Sequence, residues 1–183
     1  MQIVNDFRFY GTWYDRVRKA AFAKYGSDTD TFFRVLAATS PRCHVTKNYR
    51  FTKRIMADFL AARPITLSGL MPCHISNIYR ALSGKELSGR KVRAFYENLA
   101  GNSSVVTIDV WMLRFFKFTK TNPTAHDYQV LSDRIRRLAK RYGLAPAALQ
   151  AIIWTAQRAK DGKRPASFSA AMDADRQETF AWA

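Results

Sequence analysis

Apolar side chains recur every three or four positions along most of the chain, and the segments they mark predict helices. In residues 7–25, Phe9, Trp13, Val17, Ala20, Ala21 and Tyr25 form one stripe, opposed by Asp15, Arg16, Arg18 and Lys19, and Gly26 ends it. Residues 31–38 turn Phe32, Val35 and Leu36 inward behind a cap by Asp28 or Asp30, and Thr39-Ser40-Pro41 breaks the pattern. Residues 45–62 bury Tyr49, Ile55, Met56, Phe59 and Leu60, with Pro64 as the stop. Pro72 opens a short helix carrying Ile75, Ile78, Tyr79 and Leu82, closed by Gly84.

The next stretch, residues 88–114, has the most pointed punctuation. Ser88-Gly89-Arg90-Lys91 reads as a turn opening a helix whose face is Val92, Phe95, Tyr96 and Leu99, and Gly101 stops it. A short apolar run, residues 105–108, is the only strand candidate. Asp109 then takes the N-cap position of a helix over 110–118. A long amphipathic helix over 124–142 (Tyr128, Leu131, Ile135, Leu138) ends at Gly143, and Pro146 opens a last one through Leu149, Ile152, Ile153 and Ala156. The fold class is therefore all-α, with roughly eight helices and short connections. Residues 1–160 are expected to form a single helical domain and 161–183 a polar tail, docked through Phe168, Phe180 or Trp182.

Charge narrows the partner. The chain has 183 residues, a net charge of +16 and a sequence pI near 10.3, an excess that favours a polyanion through counterion release. Nucleic acid fits better than a membrane surface, because the cations are spread along the chain and form no single amphipathic anchor. No apolar run has the length of a membrane span, and the N-terminal residues lack the pattern of a signal peptide, so a cytoplasmic location is expected. Cys43 and Cys73 are then expected as free thiols. The repeated pairs Cys43-His44 and Cys73-His74 invite a zinc reading, but adjacent residues diverge on a helix and the spacing matches no common ligand pattern. Packing is preferred, with the two histidines left open as neighbours of DNA. Neither a metal nor a cofactor is expected.

Gly89-Arg90-Lys91 and Ile108-Asp109, with lysine and aspartate eighteen residues apart, resemble the helix-hairpin-helix DNA glycosylases, most closely the endonuclease III branch. Two further blocks occur in the same order upstream. Leu36-Ala37-Ala38-Thr39 with His44-Val45-Thr46-Lys47 looks like the family's early helix pair and its DNA-inserting loop. Gly69-Leu70 with Asn77-Ile78 resembles its Gly-Leu turn and the helix leading to the hairpin. Two departures stand out. Glu86-Leu87-Ser88-Gly89 keeps only the second hairpin glycine, and no cysteine follows Cys73, so the four-cysteine iron-sulfur cluster of some members is absent. The compact chain with Ser-Gly-Arg-Lys is closest in character to bacteriophage-encoded relatives, which would place it in a bacterial host cell.

The resemblance implies a glycosylase, with or without AP-lyase activity, that excises a damaged or modified base from double-stranded DNA as a monomer. Lys91 would be the nucleophile and Asp109 its acid/base or electrostatic partner, since N-glycosidic cleavage builds positive charge on the sugar. Thr39, Arg42, Lys47, Arg50, Gly89, Arg90 and Arg93 are the expected DNA-binding residues, with Lys53 and Arg54 close by, and the loop 39–42 would fill the gap left by a flipped base. Taken singly, Lys91 is an ordinary solvated helix lysine and Asp109 an ordinary cap; the pairing with ordered flanking blocks favours chemistry. The alternatives are a phage base-modifying transferase on the same scaffold and a non-catalytic DNA-binding protein.

Overall fold

The computed structural model describes residues 2–163 and 167–180, and no strand occurs among them. The helices are α1 (Gln2–Asp6), α2 (Trp13–Tyr25), α3 (Thr29–Ala38), α4 (Val45–Leu60), α5 (Pro72–Leu82), α6 (Arg90–Ala100), α7 (Val110–Phe115), α8 (Ala125–Arg141), α9 (Pro146–Lys160) and α10 (Phe168–Phe180), with 3-10 turns at Arg8–Thr12 and Gly26–Asp28. The all-α expectation holds. None of the described helices is long and apolar enough to cross a membrane. The chain divides into two compact units, the first Met1–Arg16 with Glu97–Pro165, the second Val17–Tyr96 with Ala166–Ala183.

In the first unit α9 is the central element, packed by α1, the Arg8–Thr12 turn, α7 and α8. The core they enclose contains Val4, Val106, Ile108, Met112, Leu113, Leu131, Ile135, Leu149 and Ile153. The apolar run 105–108 enters this core without becoming a strand, because side chains satisfy its backbone where a paired strand would. The Tyr128 hydroxyl donates to the Val106 carbonyl (3.0 Å) and accepts from the Ile108 amide (3.2 Å), and Asn98 Nδ2 donates to the Val105 carbonyl (2.9 Å). The helix expected over 7–25 begins only at Trp13. Gly11, in the 3-10 turn, faces α9, where a Cβ would make ordinary van der Waals contact with Ile152 Cδ1 (3.5 Å).

In the second unit α3 packs on α4 and α5, and α10 packs on α4. Phe32, Leu36, Ile55, Met56 and Ile78 are fully buried. The polar tail expected after Asp161 contains α10, anchored by buried Phe168 and Met172 and by Asp175, which binds both Lys24 and Lys53. Trp182 and the Phe180 side chain lie outside the described residues.

Three inward assignments fail. Phe9 (66% exposed), Leu60 and Tyr79 (51%) face solvent. Each stands at the margin of its apolar stripe, where periodicity places a side chain on the correct side without determining whether a neighbouring element covers it. Neither Asp28 nor Asp30 caps α3 with its side chain. Thr29 closes the turn instead, its hydroxyl donating to the Gly26 carbonyl (2.7 Å), while Asp30 is held by Arg34 (2.6 Å) and Tyr96 (2.7 Å).

Candidate functional site

Helices α5 and α6 are joined by residues 83–89, a connection set by side-chain bracing. Asn77 on α5 clasps Ser88, accepting from its amide (2.7 Å) and donating to its carbonyl (3.1 Å). Leu87 is buried beneath the turn, Arg93 pairs with Glu86 (2.7 Å), and Gly89 takes a φ of +92° immediately before α6. Only glycine adopts that backbone at little cost. The first turn of α6 thus carries Arg90, Lys91 and Arg93 and no acidic residue.

Lys91 points to the loop between α3 and α4. Its Nζ donates to Ser40 Oγ (2.6 Å) and lies 5.4 Å from the centroid of the Phe95 ring. The Ser40 hydroxyl donates its proton to the Ala37 carbonyl (2.8 Å), so it turns a lone pair toward the amine. The same loop is braced from α5. The His74 ring is buried (1% exposed), with Nδ1 accepting from the Met71 amide (3.3 Å), which leaves Nε2 to donate to the Pro41 carbonyl (2.9 Å). His74 is therefore a brace and does not meet DNA; His44 is exposed at the start of α4. Burial pushes the half-buried Cys43 thiol up, against the lowering fields of Lys47 and Lys91. Cys43 and Cys73 are free, and no cluster of three metal-binding side chains occurs among the described residues.

The expected DNA-binding residues separate by environment. Arg42 is exposed at the loop tip with φ +52°, Lys47 and Arg50 are exposed on α4, and Arg90 and Arg93 are exposed on α6. Thr39 is different. It is wholly buried, its hydroxyl 2.5 Å from Asn48 Oδ1 and 3.1 Å from the Thr52 hydroxyl, while Asn48 Nδ2 donates to the Leu36 carbonyl (3.1 Å). That network ties α3 to α4, so the Thr39 side chain is a structural element and not a DNA contact. Of the two neighbouring cations, Lys53 is engaged by Asp175 and Arg54 by the Ser68 carbonyl.

Asp109 lies in the first unit, at the N-cap of α7. Its Oδ1 accepts from the amides of Trp111 (2.9 Å) and Met112 (3.1 Å), and its Oδ2 from Trp154 Nε1 (2.9 Å). A carboxylate offers about four lone-pair positions, so these three bonds leave one on Oδ2. Around it stands a shell that sequence reasoning missed. Arg158, only 4% exposed, has its guanidinium carbon 4.6 Å from the Trp154 ring and 5.2 Å from that of Trp111. Burial lowers the Arg158 pKa, and the negative charge of Asp109 opposes that fall. Tyr14 is buried nearby, its hydroxyl donating to Gln150 Oε1 (2.8 Å); burial pushes the phenol upward, with the Asp109 charge adding to the rise. The available signal was the i, i+4 spacing of Trp154 and Arg158 on α9.

These features define an all-helical, strongly basic protein with a cationic helix start, that of α6, in one unit and an aromatic-walled capping carboxylate in the other. Residues 8–161 match the model for Family of unknown function (DUF7178), and the chain belongs to that family. No curated protein and no solved structure matches it.

Proposed function

We propose that the protein is a DNA glycosylase of the helix-hairpin-helix type, excising a damaged or modified base from duplex DNA, with Lys91 as the nucleophile and Asp109 as its carboxylate partner. The observation that carries the reading is the setting of Lys91. A nucleophilic amine has to be oriented and partly withdrawn from water. Lys91 is half-buried, its amine oriented by the Ser40 hydroxyl 2.6 Å away, and it stands in the first turn of α6. Arg90 and Arg93 on the same turn suit a phosphate backbone.

In this mechanism the C1′–N bond breaks and the base departs with the bonding electrons, taking up a proton. The Lys91 nitrogen forms the new bond to C1′ and loses a proton. Ring opening then gives an imine that borohydride traps. Asp109, through its remaining lone pair, stabilises charge on the sugar and accepts protons. The test is incubation with duplexes bearing uracil, 8-oxoguanine, alkylated purines or modified pyrimidines, followed by alkali or borohydride. A trapped species and strand cleavage are expected, both lost in Lys91→Ala and base release lost in Asp109→Asn. Full activity in both variants would sink the proposal.

A non-catalytic DNA-binding protein is the second reading. The three hydrogen bonds of Asp109 favour it, since a cap and an indole acceptor account for that carboxylate without chemistry. It expects salt-sensitive binding, no trapped species, and an Asp109→Asn variant that binds as the wild type does.

A further inference from the structure

The exposed face of α8, in the first unit, carries Arg134, Arg136, Arg137, Lys140 and Arg141 within its last eight residues. None of these belongs to the α5–α6 connection or to the loop between α3 and α4. On a helix, positions three and four apart are neighbours, so Arg134–Arg137, Arg137–Lys140, Arg136–Lys140 and Arg137–Arg141 are all repulsive pairs. Among the described residues Asp133 alone answers this charge. It pairs with Arg136 (2.9 Å) and lies within electrostatic reach of Arg137, while no carboxylate of the described residues pairs with Lys140 or Arg141. The helix dipole explains a cation in the last turn, hence Lys140 and Arg141, but not Arg134 or Arg137.

The apolar side of α8 decides the partner's chemistry. Leu131, Ile135 and Ala139 are buried in the unit's core, and Val130 is the exposed large apolar residue of this helix, a full turn before Arg134. A helix that lies in a membrane needs several apolar side chains beside its cations to enter the lipid, and on this face exposed Val130 is the one large apolar residue against five cations. A phosphate backbone needs only cations at suitable spacing. From Arg134 to Arg141 the helix rises about 10 Å, against one phosphate per about 3.4 Å of a DNA strand. Arg134 is further steadied by stacking on Phe116, 4.8 Å from the ring centroid.

We infer that α8 is a second DNA-backbone surface, on a different unit from the start of α6, contacting successive phosphates through Arg134, Arg137, Lys140 and Arg141. It shares with the glycosylase reading only the partner and not the chemistry. It gives sequence-independent affinity, whereas the start of α6 and the α3–α4 loop would act at the target base.

The test is binding of a labelled duplex by anisotropy across about 50 to 200 mM salt, comparing the wild type with an Arg137→Gln, Lys140→Gln, Arg141→Gln triple variant. Three lost contacts reduce the slope of log K against log salt by about 2.7, and the single Arg137→Gln variant by about 0.9. Thermal melting is expected to hold or rise, because repulsive pairs are removed. An unchanged slope in both variants overturns the inference, as does a wild-type protein that ignores the duplex and binds phosphatidylserine vesicles through these residues. Borohydride trapping on the same duplexes separates the two proposals. A reduced slope without any chemistry in the wild type sinks the glycosylase and leaves the surface standing; trapping with an unchanged slope does the reverse.

Discussion

Ser40 is the residue through which the chemistry of Lys91 is most directly tested. Its hydroxyl proton is committed to Ala37, so Ser40→Ala removes an acceptor from the amine without opening a volume that the fold needs. Under the proposed function, base release is expected to slow by about a hundredfold, the scale at which a misplaced reacting group is felt, while duplex affinity stays unchanged. Single-turnover kinetics beside a binding titration checks the split. Thr39, one position earlier, makes the opposite prediction. Thr39→Val leaves buried Asn48 and Thr52 short of a partner and is expected to cost about 1–3 kcal/mol in denaturant unfolding, with no change in the salt dependence of DNA binding. At Asp109, alanine removes the cap of α7 and the acceptor for Trp154, so a loss of about 1–3 kcal/mol is expected. Asparagine keeps a side-chain oxygen for the cap and is expected to cost less. Comparing the two by thermal melting separates the structural part of Asp109 from any catalytic part. Lys91 and Asp109 stood out in the sequence because turn and cap residues flank them. Ser40, Trp154 and Arg158 did not, since nothing along the chain says which side chains from residues 37–40 or from α9 will meet them.

Among the elements, α10 offers the clearest pH dependence. Burial alone raises the Asp175 carboxyl, but the bound ammonium groups of Lys24 and Lys53 more than reverse this and leave it below the ordinary carboxylate range. A depressed folded-state pKa means that docking of α10 is stabilised above the unfolded value, about 3.9, and that this support is lost as pH falls through the folded one. Hydrogen exchange is expected to show residues 168–175 opening below about pH 4, and Asp175→Asn is expected to open them at neutral pH as well. Protection that is indifferent to both would show that Phe168 and Met172 suffice to hold the helix. Helices α3 to α9 follow from the apolar period and its punctuation, within a few residues at their ends. The short α1 and the amphiphilically weak α10 did not stand out, because their stripes are brief and depend on what they pack against. Residues 105–108 show the converse: an apolar run of β-like composition finds no strand to pair with, so Tyr128 and Asn98 satisfy it instead.

Across the whole molecule, basic residues outnumber acidic ones by about two to one in each of the two units, so neither alone accounts for the net charge of +16. Affinity for any polyanion is therefore expected to be steeply salt-dependent, and heparin competition is the simplest check of that term. The sequence by itself determined the helical class, most helix positions, the polyanion preference and the punctuation around Lys91 and Asp109. Those follow from local physics: the period of burial, the conformational limits of Gly and Pro, the capping chemistry of Asp, and net charge. Tertiary structure alone decided that Thr39 and His74 are internal ties, that Phe9 and Tyr79 face water, that the last helix is held by one carboxylate between two lysines, and that Trp154 and Arg158 wall the Asp109 cap. Each of those depends on which residues, distant along the chain, come within a few ångströms once the helices pack, and the period of a single helix carries no record of its neighbours.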